Sequence, residues 1–446
     1  MKNIMTYSVK IKEFNHLFDD TVKLYRKAVD FYISVIDTEW ELFSQVTSQK
    51  TAVNLSELYT VSTKLHLNVP YDFGKDFYKF PSYLRRAAIA EAYGKVCSYH
   101  SILSNWEKAD PRTRGEKPSC PKAGYVCPAM YRTGCYIRND DYTASLKVFI
   151  RNTWDWVKVS FRKSDVDYIN HKCSEYKECV PTLRKRGRRW SLDFSFEYHC
   201  KLKDIPVKDQ KIIAVDLGIN SSCTCVCMHS DGTVIGRKFL KLPKEYDFLM
   251  HKIGRIKYAQ RHGSRDVSNL WKLADGINDD IAVKTADFIM DMAKSYEADV
   301  IVFEHLDLDG KKKGSKKQYL HLWKARYVQS MVEGKAHRKG IRISRINAWG
   351  TSALAYDGSG KVRRGRDSDK ANGCYSVCEF TTGKIYNCDL NAAYNIGSRY
   401  FVREIIKSLP VTVGQRIAAK VPGCVNRTSC TLSTLINLNT ELHAAA

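Results

Sequence analysis

The chain has 446 residues, more than one ordinary hydrophobic core organises, so two or three domains are expected. Hydrophobic residues make up 44% and aromatic residues 11%, a globular composition that excludes a disordered chain. Its 72 basic against 48 acidic side chains leave a formal charge of +24, which calls for a polyanionic partner. Nucleic acid and anionic membrane are the two candidates. No apolar run approaches the roughly 18 residues that span a bilayer, and the N-terminus lacks the apolar stretch of a secretory signal. Nucleic acid, a cytoplasmic location and no membrane are therefore expected. The 15 cysteines read as reduced thiols. Cys223, Cys225 and Cys227 alternate along a strand-like run, which puts all three on one face as small hydrophobes rather than metal ligands.

In chain order, residues 7–11 alternate like a strand, and residues 14–46 carry apolar positions at helical spacing, among them Leu17, Val22, Leu24, Val29, Ile33 and Ile36. Further helices are expected over 56–67 and 81–106. The stretch 109–135, with Pro111, Pro118, Pro121 and Pro128, reads as irregular. Short strands follow over 145–150, 154–161 and 190–198. Before the last lies Arg184-Lys185-Arg186-Gly187-Arg188-Arg189-Trp190. Arginines beside an aromatic suit phosphate contact with base stacking, and equally suit a charged hairpin turn. The polar segment 201–211, with Pro206, is the expected domain boundary.

The second half alternates strand and helix. An apolar run, Ile212-Ile213-Ala214-Val215, delivers Asp216 as the end of a buried strand, and two more strands follow over 222–229 and 234–240. Three consecutive antiparallel strands with an Asp on the first open an RNase H-like fold. Helical patterns cover 246–261 and 278–297, and then Val300-Ile301-Val302-Phe303 delivers Glu304. A helix feeding such a strand lays it parallel to the first and brings Glu304 beside Asp216. A helix over 318–338 and a strand over 341–346 continue the alternation, and Asp389 opens a helix as its cap or first turn. Clustered carboxylates of this kind hold divalent cations for phosphodiester hydrolysis.

Three motifs, Val-Asp-Leu-Gly-Ile-Asn at Asp216, Ile-Val-Phe-Glu-His-Leu at Glu304 and Asp-Leu-Asn-Ala-Ala-Tyr-Asn-Ile from Asp389, resemble the RuvC domain of the TnpB (OrfB) proteins of insertion sequences and of compact type V CRISPR effectors. The resemblance covers residues 212–400 by motif and the first half by layout. It implies an α/β chain with β-barrel and helical modules: a wedge β-barrel (1–12 and 109–205) interrupted by a helical recognition domain (13–108), then a RuvC-like nuclease (206–350 and 389–446) with an insertion at 351–388. It implies an RNA-guided endonuclease for double-stranded DNA, working with a guide RNA and with Mg²⁺ or Mn²⁺ held by Asp216, Glu304 and Asp389.

The setting, transposon or CRISPR locus, stays open, as does monomer or homodimer. Relatives usually place a zinc ribbon in the insertion. Here Ala355 and Gly358 stand where the first cysteines belong, and only Cys374, Cys378 and Cys388 remain, so a zinc-free remnant is expected. Its basic run, Lys361, Arg363, Arg364 and Arg366, is a candidate strand grip. Lys311, Lys312, Lys313, Lys316 and Lys317 fall where relatives carry a lid, either ordering on a duplex or simply solvated. Residues 411–446 read as one or two helices without chemistry. Two rivals are a non-cutting RNA-guided repressor, which would be expected to lose acids from the triad, and a transposase on the same fold, which would need a separate DNA-binding module.

Overall fold

The computed structural model describes residues 2–13, 16–64, 66–112, 114–218, 222–264, 266–306, 324–368, 370, 373–426 and 428–445. The chain divides into two compact units, Lys2–His199 and Cys200–Ala446.

In the N-terminal unit, β1 (Lys2–Lys10) pairs antiparallel with β7 (Arg189–His199) from Lys2↔His199 to Lys10↔Ser191. The other edge of β7 carries β5 (Lys177–Glu178) and β6 (Thr182–Arg186). A second sheet is the meander β2 (Tyr136–Arg138), β3 (Thr143–Ile150) and β4 (Thr153–Ser160). The expected barrel is not closed. Among the described residues the edge of β1 meets the second sheet through one isolated bridge, Ile11↔Phe161, because the chain leaves the β1 ladder at Lys10 on its way to the helix Leu17–Thr38. That helix buries Phe18, Val22, Tyr25, Val29, Tyr32, Ile33 and Ile36, a stripe at three- and four-residue spacing, against the helix Ser82–Lys108. The helix expected over 56–67 instead runs Gln49–Thr60. Ser48 caps its start by accepting from the Thr51 N–H, and the β-branched Val61 is already extended. The helix Lys163–Cys173 falls between the strands expected over 154–161 and 190–198.

The C-terminal unit is built on a five-stranded sheet in the order β10-β9-β8-β11-β12. Strands β8 (Ile212–Asp216), β9 (Cys223–Met228) and β10 (Val234–Leu240) are antiparallel neighbours, whereas β11 (Val300–His305) runs parallel to β8 and β12 (Arg342–Asn347) parallel to β11. Helices cover both faces, which is why the central strands are continuously apolar. Ile212, Ala214, Val300 and Val302 meet the helix Cys388–Ser408 and the C-terminal helix Leu432–Ala445. Ile213, Val215, Ile301 and Phe303 face the helices Ser268–Ser295 and Ala325–His337. Cys223, Cys225 and Cys227 lie fully buried in this second layer as core side chains. The helix Cys388–Ser408 approaches the sheet at Gly397, where a Cβ would sit 3.2 Å from the Ala214 Cβ and overlap the Met228 sulfur. A small sheet, β13 (Arg363–Arg364), β14 (Val377–Glu379) and β15 (Ile385–Asn387), precedes that helix. Among the described residues no helix is long and apolar enough to cross a membrane.

Candidate active site

The parallel register of β8 and β11 runs from Ile212↔Val300 to Val215↔Phe303, and the next residues in the two strands are Asp216 and Glu304. Both carboxylates thus leave the sheet at one edge, on adjacent central strands. Asp389 comes from the first turn of the helix Cys388–Ser408, whose N-cap Asn387 accepts from the Leu390 N–H at 2.9 Å. Asp216 lies close enough to the other two to feel their charge. Burial first, then the negative charges of Glu304 and Asp389, push the Asp216 carboxyl well above the ordinary carboxylate range. Glu304 is also raised, by burial, opposed by a hydrogen bond from Thr351 and the positive field of Arg399. Among the described residues no three His, Cys, Asp or Glu side chains are grouped tightly enough to hold one ion as they stand. The donor set is nonetheless all hard carboxylate oxygen, which matches Mg²⁺ or Mn²⁺, and a cation would offset the repulsion now borne by Asp216.

Several groups around the acids were not singled out from sequence. The Thr351 hydroxyl donates to Glu304 Oε1, and the Gln329 amide donates to the Glu304 carbonyl at 2.9 Å. Thr351 is itself held from the helix Cys388–Ser408. Asn395 donates to the carbonyls of Thr351 (2.9 Å) and Leu354 (2.8 Å), while Asn391 donates to Leu354 and accepts from Tyr356 N–H, both at 2.8 Å. One turn further on, the buried Arg399 guanidinium donates to the carbonyls of Asn347, Trp349, Thr428 and Cys430. Asn391, Asn395 and Arg399 therefore form one polar stripe at i, i+4 and i+8 that fastens the segment carrying Thr351. The signal in the sequence was three polar residues at helical spacing among Ala, Ile and Tyr.

The basic candidates separate by what they touch. Arg364 lies in β13 with its charge lowering the Asp216 carboxyl, so it belongs beside the acids. Arg363 pairs with Glu379 at 3.3 Å, and Arg366 is exposed, as is Lys361. Arg184 and Arg186 both bind the buried Asp193, at 3.2 and 3.1 Å, and Lys185 pairs with Asp19 at 2.5 Å. Arg186 and Arg189 face each other across the β6–β7 hairpin, whose turn holds Arg188 and a left-handed Gly187. Trp190 corrects the expectation of an adjoining stacking aromatic: its ring is buried edge-on against Phe18 at 5.4 Å. Lys311, Lys312, Lys313, Lys316 and Lys317 lie outside the described residues. Cys378 and Cys388 are buried with Ala355 and Phe380 in a small apolar core, and Cys374 is exposed.

The fold is mixed α/β, with acidic residues gathered toward the C-terminal ends of the central strands of its larger sheet. Residues 5–150 match the Aq_aa04 family. A TnpB-like protein of Aquifex aeolicus (strain VF5), aq_aa05, is 28% identical over 237 residues, 48% of this chain and 74% of that protein. An uncharacterised protein of the same organism, aq_aa04, is 32% identical over 130 residues, 26% of this chain and 71% of that one. Among solved structures, a Cas12f1–sgRNA–target DNA complex aligns with 89% of this chain and 98% of its own at 14% identity and a TM-score of 0.34. An AacC2c1–sgRNA binary complex aligns with 84% of this chain and 65% of its own at 10% identity and a TM-score of 0.40. The chain belongs to the Aq_aa04 family, and it is similar to a TnpB-like protein.

Proposed function

We propose that this chain is an RNA-guided endonuclease that binds a guide RNA and cuts complementary double-stranded DNA beside a short flanking motif, with Asp216, Glu304 and Asp389 as its cutting centre. The observation that carries the reading is the raised Asp216 carboxyl, buried beside the charges of Glu304 and Asp389. Such a site stays ionised only with countercharge, which is what a metal-dependent phosphodiester hydrolase needs. Three antiparallel strands followed by two parallel ones is the order expected of a RuvC-like, RNase H-type domain. On this reading the helices between β1 and β2 are the recognition module, the two N-terminal sheets the wedge, and residues 351–388 a zinc-free remnant insertion.

The three carboxylates would hold Mg²⁺ or Mn²⁺, which when bound supplies an activated water and charge neutralisation at the leaving oxygen. The chain's own residues orient the rest. Thr351 fixes the rotamer of Glu304 and leaves its other carboxylate oxygen available. Arg364, already drawn to the acids, presents a guanidinium to the scissile phosphate, where planar two-point contact favours Arg over Lys. The guide supplies sequence specificity by base pairing, and the basic surface grips backbone.

The test uses protein purified with RNA encoded at its own locus, and a plasmid matched to that RNA and flanked by randomised sequence, with Mg²⁺ or EDTA. Metal-dependent cutting of matched plasmid that vanishes in Asp216→Ala is expected. Tight RNA and target binding without cutting in any divalent metal would overturn the nuclease in favour of a repressor.

A further inference from the structure

The N-terminal unit displays one aromatic ring in a way that packing does not explain. Tyr125 is 95% exposed, although tyrosine ordinarily buries its ring and wets only its hydroxyl. The ring does not sit on a loose loop. Residues 123–126 form a tight turn closed by Val126 N–H to the Ala123 carbonyl at 2.9 Å, with Gly124 in the left-handed region that favours glycine. Two side chains of the helix Leu17–Thr38 clamp it: Asp30 accepts from Ala123 N–H at 2.6 Å, and Arg26 donates to the Val126 carbonyl at 3.0 Å. Ala123 and Val126 are buried on either side. The turn is anchored, and the ring it carries is held outward.

Tyr125 also forms a wall common to two grooves, of about 680 and 460 Å³. Lys23, Arg26, Lys95, Lys122, Arg184 and Lys185 line them, against only two carboxylates, Asp19 and Glu91. The pairs of Lys185 with Asp19, Lys23 with Asp20 and Lys95 with Glu91 are at least partly exposed and exchange cheaply for a phosphate, whereas Arg184 is held in place by the buried Asp193. A rigid, solvent-facing ring between cationic grooves matches one ligand chemistry, a planar base with phosphates on both sides. Free phosphate would gain nothing from the ring, and an apolar partner would gain nothing from the cations.

We propose that Tyr125 is a stacking platform for an unpaired nucleobase, with the two grooves holding the phosphates of the strand on either side of it. The stacking role expected of Trp190 passes to this ring, which borders the same Arg184-lined groove. The proposal rests on the reading of the chain as a nucleic-acid-handling protein.

The experiment uses the full chain in EDTA, short single strands of uridine RNA and of thymidine DNA, and salt high enough to weaken diffuse binding. Strands carrying 5-iodouracil are expected to crosslink at Tyr125, for whichever sugar the site accepts. Tyr125→Ala should weaken binding about fivefold or more, since stacking on one base contributes on that scale. Tyr125→Phe should bind like wild type, because the ring and not the hydroxyl is used. The salt slope should stay unchanged in Tyr125→Ala and become shallower by about 0.7 in Lys122→Ala. Crosslinks falling elsewhere, with Tyr125→Ala binding both strands like wild type, would overturn the platform alone if the wild type still cuts a matched target. A wild type that binds neither strand and cuts nothing would overturn the nucleic-acid reading as well.

Discussion

Asp216 is held where a lone carboxylate is worst placed, buried and beside two like charges. Its native pKa, like that of Glu304, lies above its unfolded value, so the metal-free native state binds more protons than the unfolded chain between the ordinary carboxylate pKa of about 4 and the raised values. Stability from these two groups is fully present below that window and is lost as pH rises through it. Thermal unfolding in EDTA across this range should therefore show falling stability, with a flatter profile in Asp216→Asn. At neutral pH the same variant should melt higher than wild type. A gain of about 1 kcal/mol corresponds to about 2–4 °C for a unit of this size. A variant that melts lower would show that the charge is already compensated. Thr351 acts on its neighbour. Thr351→Val removes the hydroxyl that holds Glu304, and cutting should fall about 10–100-fold with RNA binding unchanged. Equal loss of RNA binding would point to misfolding instead.

The helix Cys388–Ser408 is the element on which the site depends most. It supplies Asp389, packs its apolar face on the sheet, and fastens the Thr351 segment with Asn391, Asn395 and Arg399. Arg399→Met would strand four carbonyls that it now satisfies, two of them in the C-terminal segment around residues 428–430. The expected cost is at least about 3 kcal/mol, read as a lowered denaturant midpoint. Gly397→Val forces a side chain into Ala214 and Met228, and about 1–3 kcal/mol should be lost. At this scale the sequence was legible where local pattern and burial agree. The two apolar runs ending in Asp216 and Glu304 have few alternatives to central strands, and the helix opened by Asp389 carries its own cap. The pinning stripe was less legible, because Asn and Arg on a helix ordinarily face water and only tertiary packing turns them inward. The same holds for Trp190 and Arg364. One is buried by Phe18 and the charge of the other is felt at Asp216, and both relations join residues far apart in sequence.

Across the whole molecule, the charge of +24 and the proposed RNA-guided activity point the same way. The composition announced a polyanionic partner, but not how its cations are spent. Arg184, Lys185 and Arg186 are tied to Asp193 and Asp19, so net charge alone overstates the free positive surface. The open arrangement of the two N-terminal sheets was hidden for a related reason. Strand patterns fix which face is buried, whereas closure depends on edges meeting, and the β1 edge turns away after Lys10. The most direct measurement of the central claim compares wild type with Asp216→Asn, Glu304→Gln and Asp389→Asn on a plasmid matched to the co-purified RNA, in Mg²⁺, with RNA and target binding measured in parallel. Each amide variant should keep RNA and target binding and lose cutting. Cutting that survives any one of the three substitutions would contradict a centre made of these carboxylates.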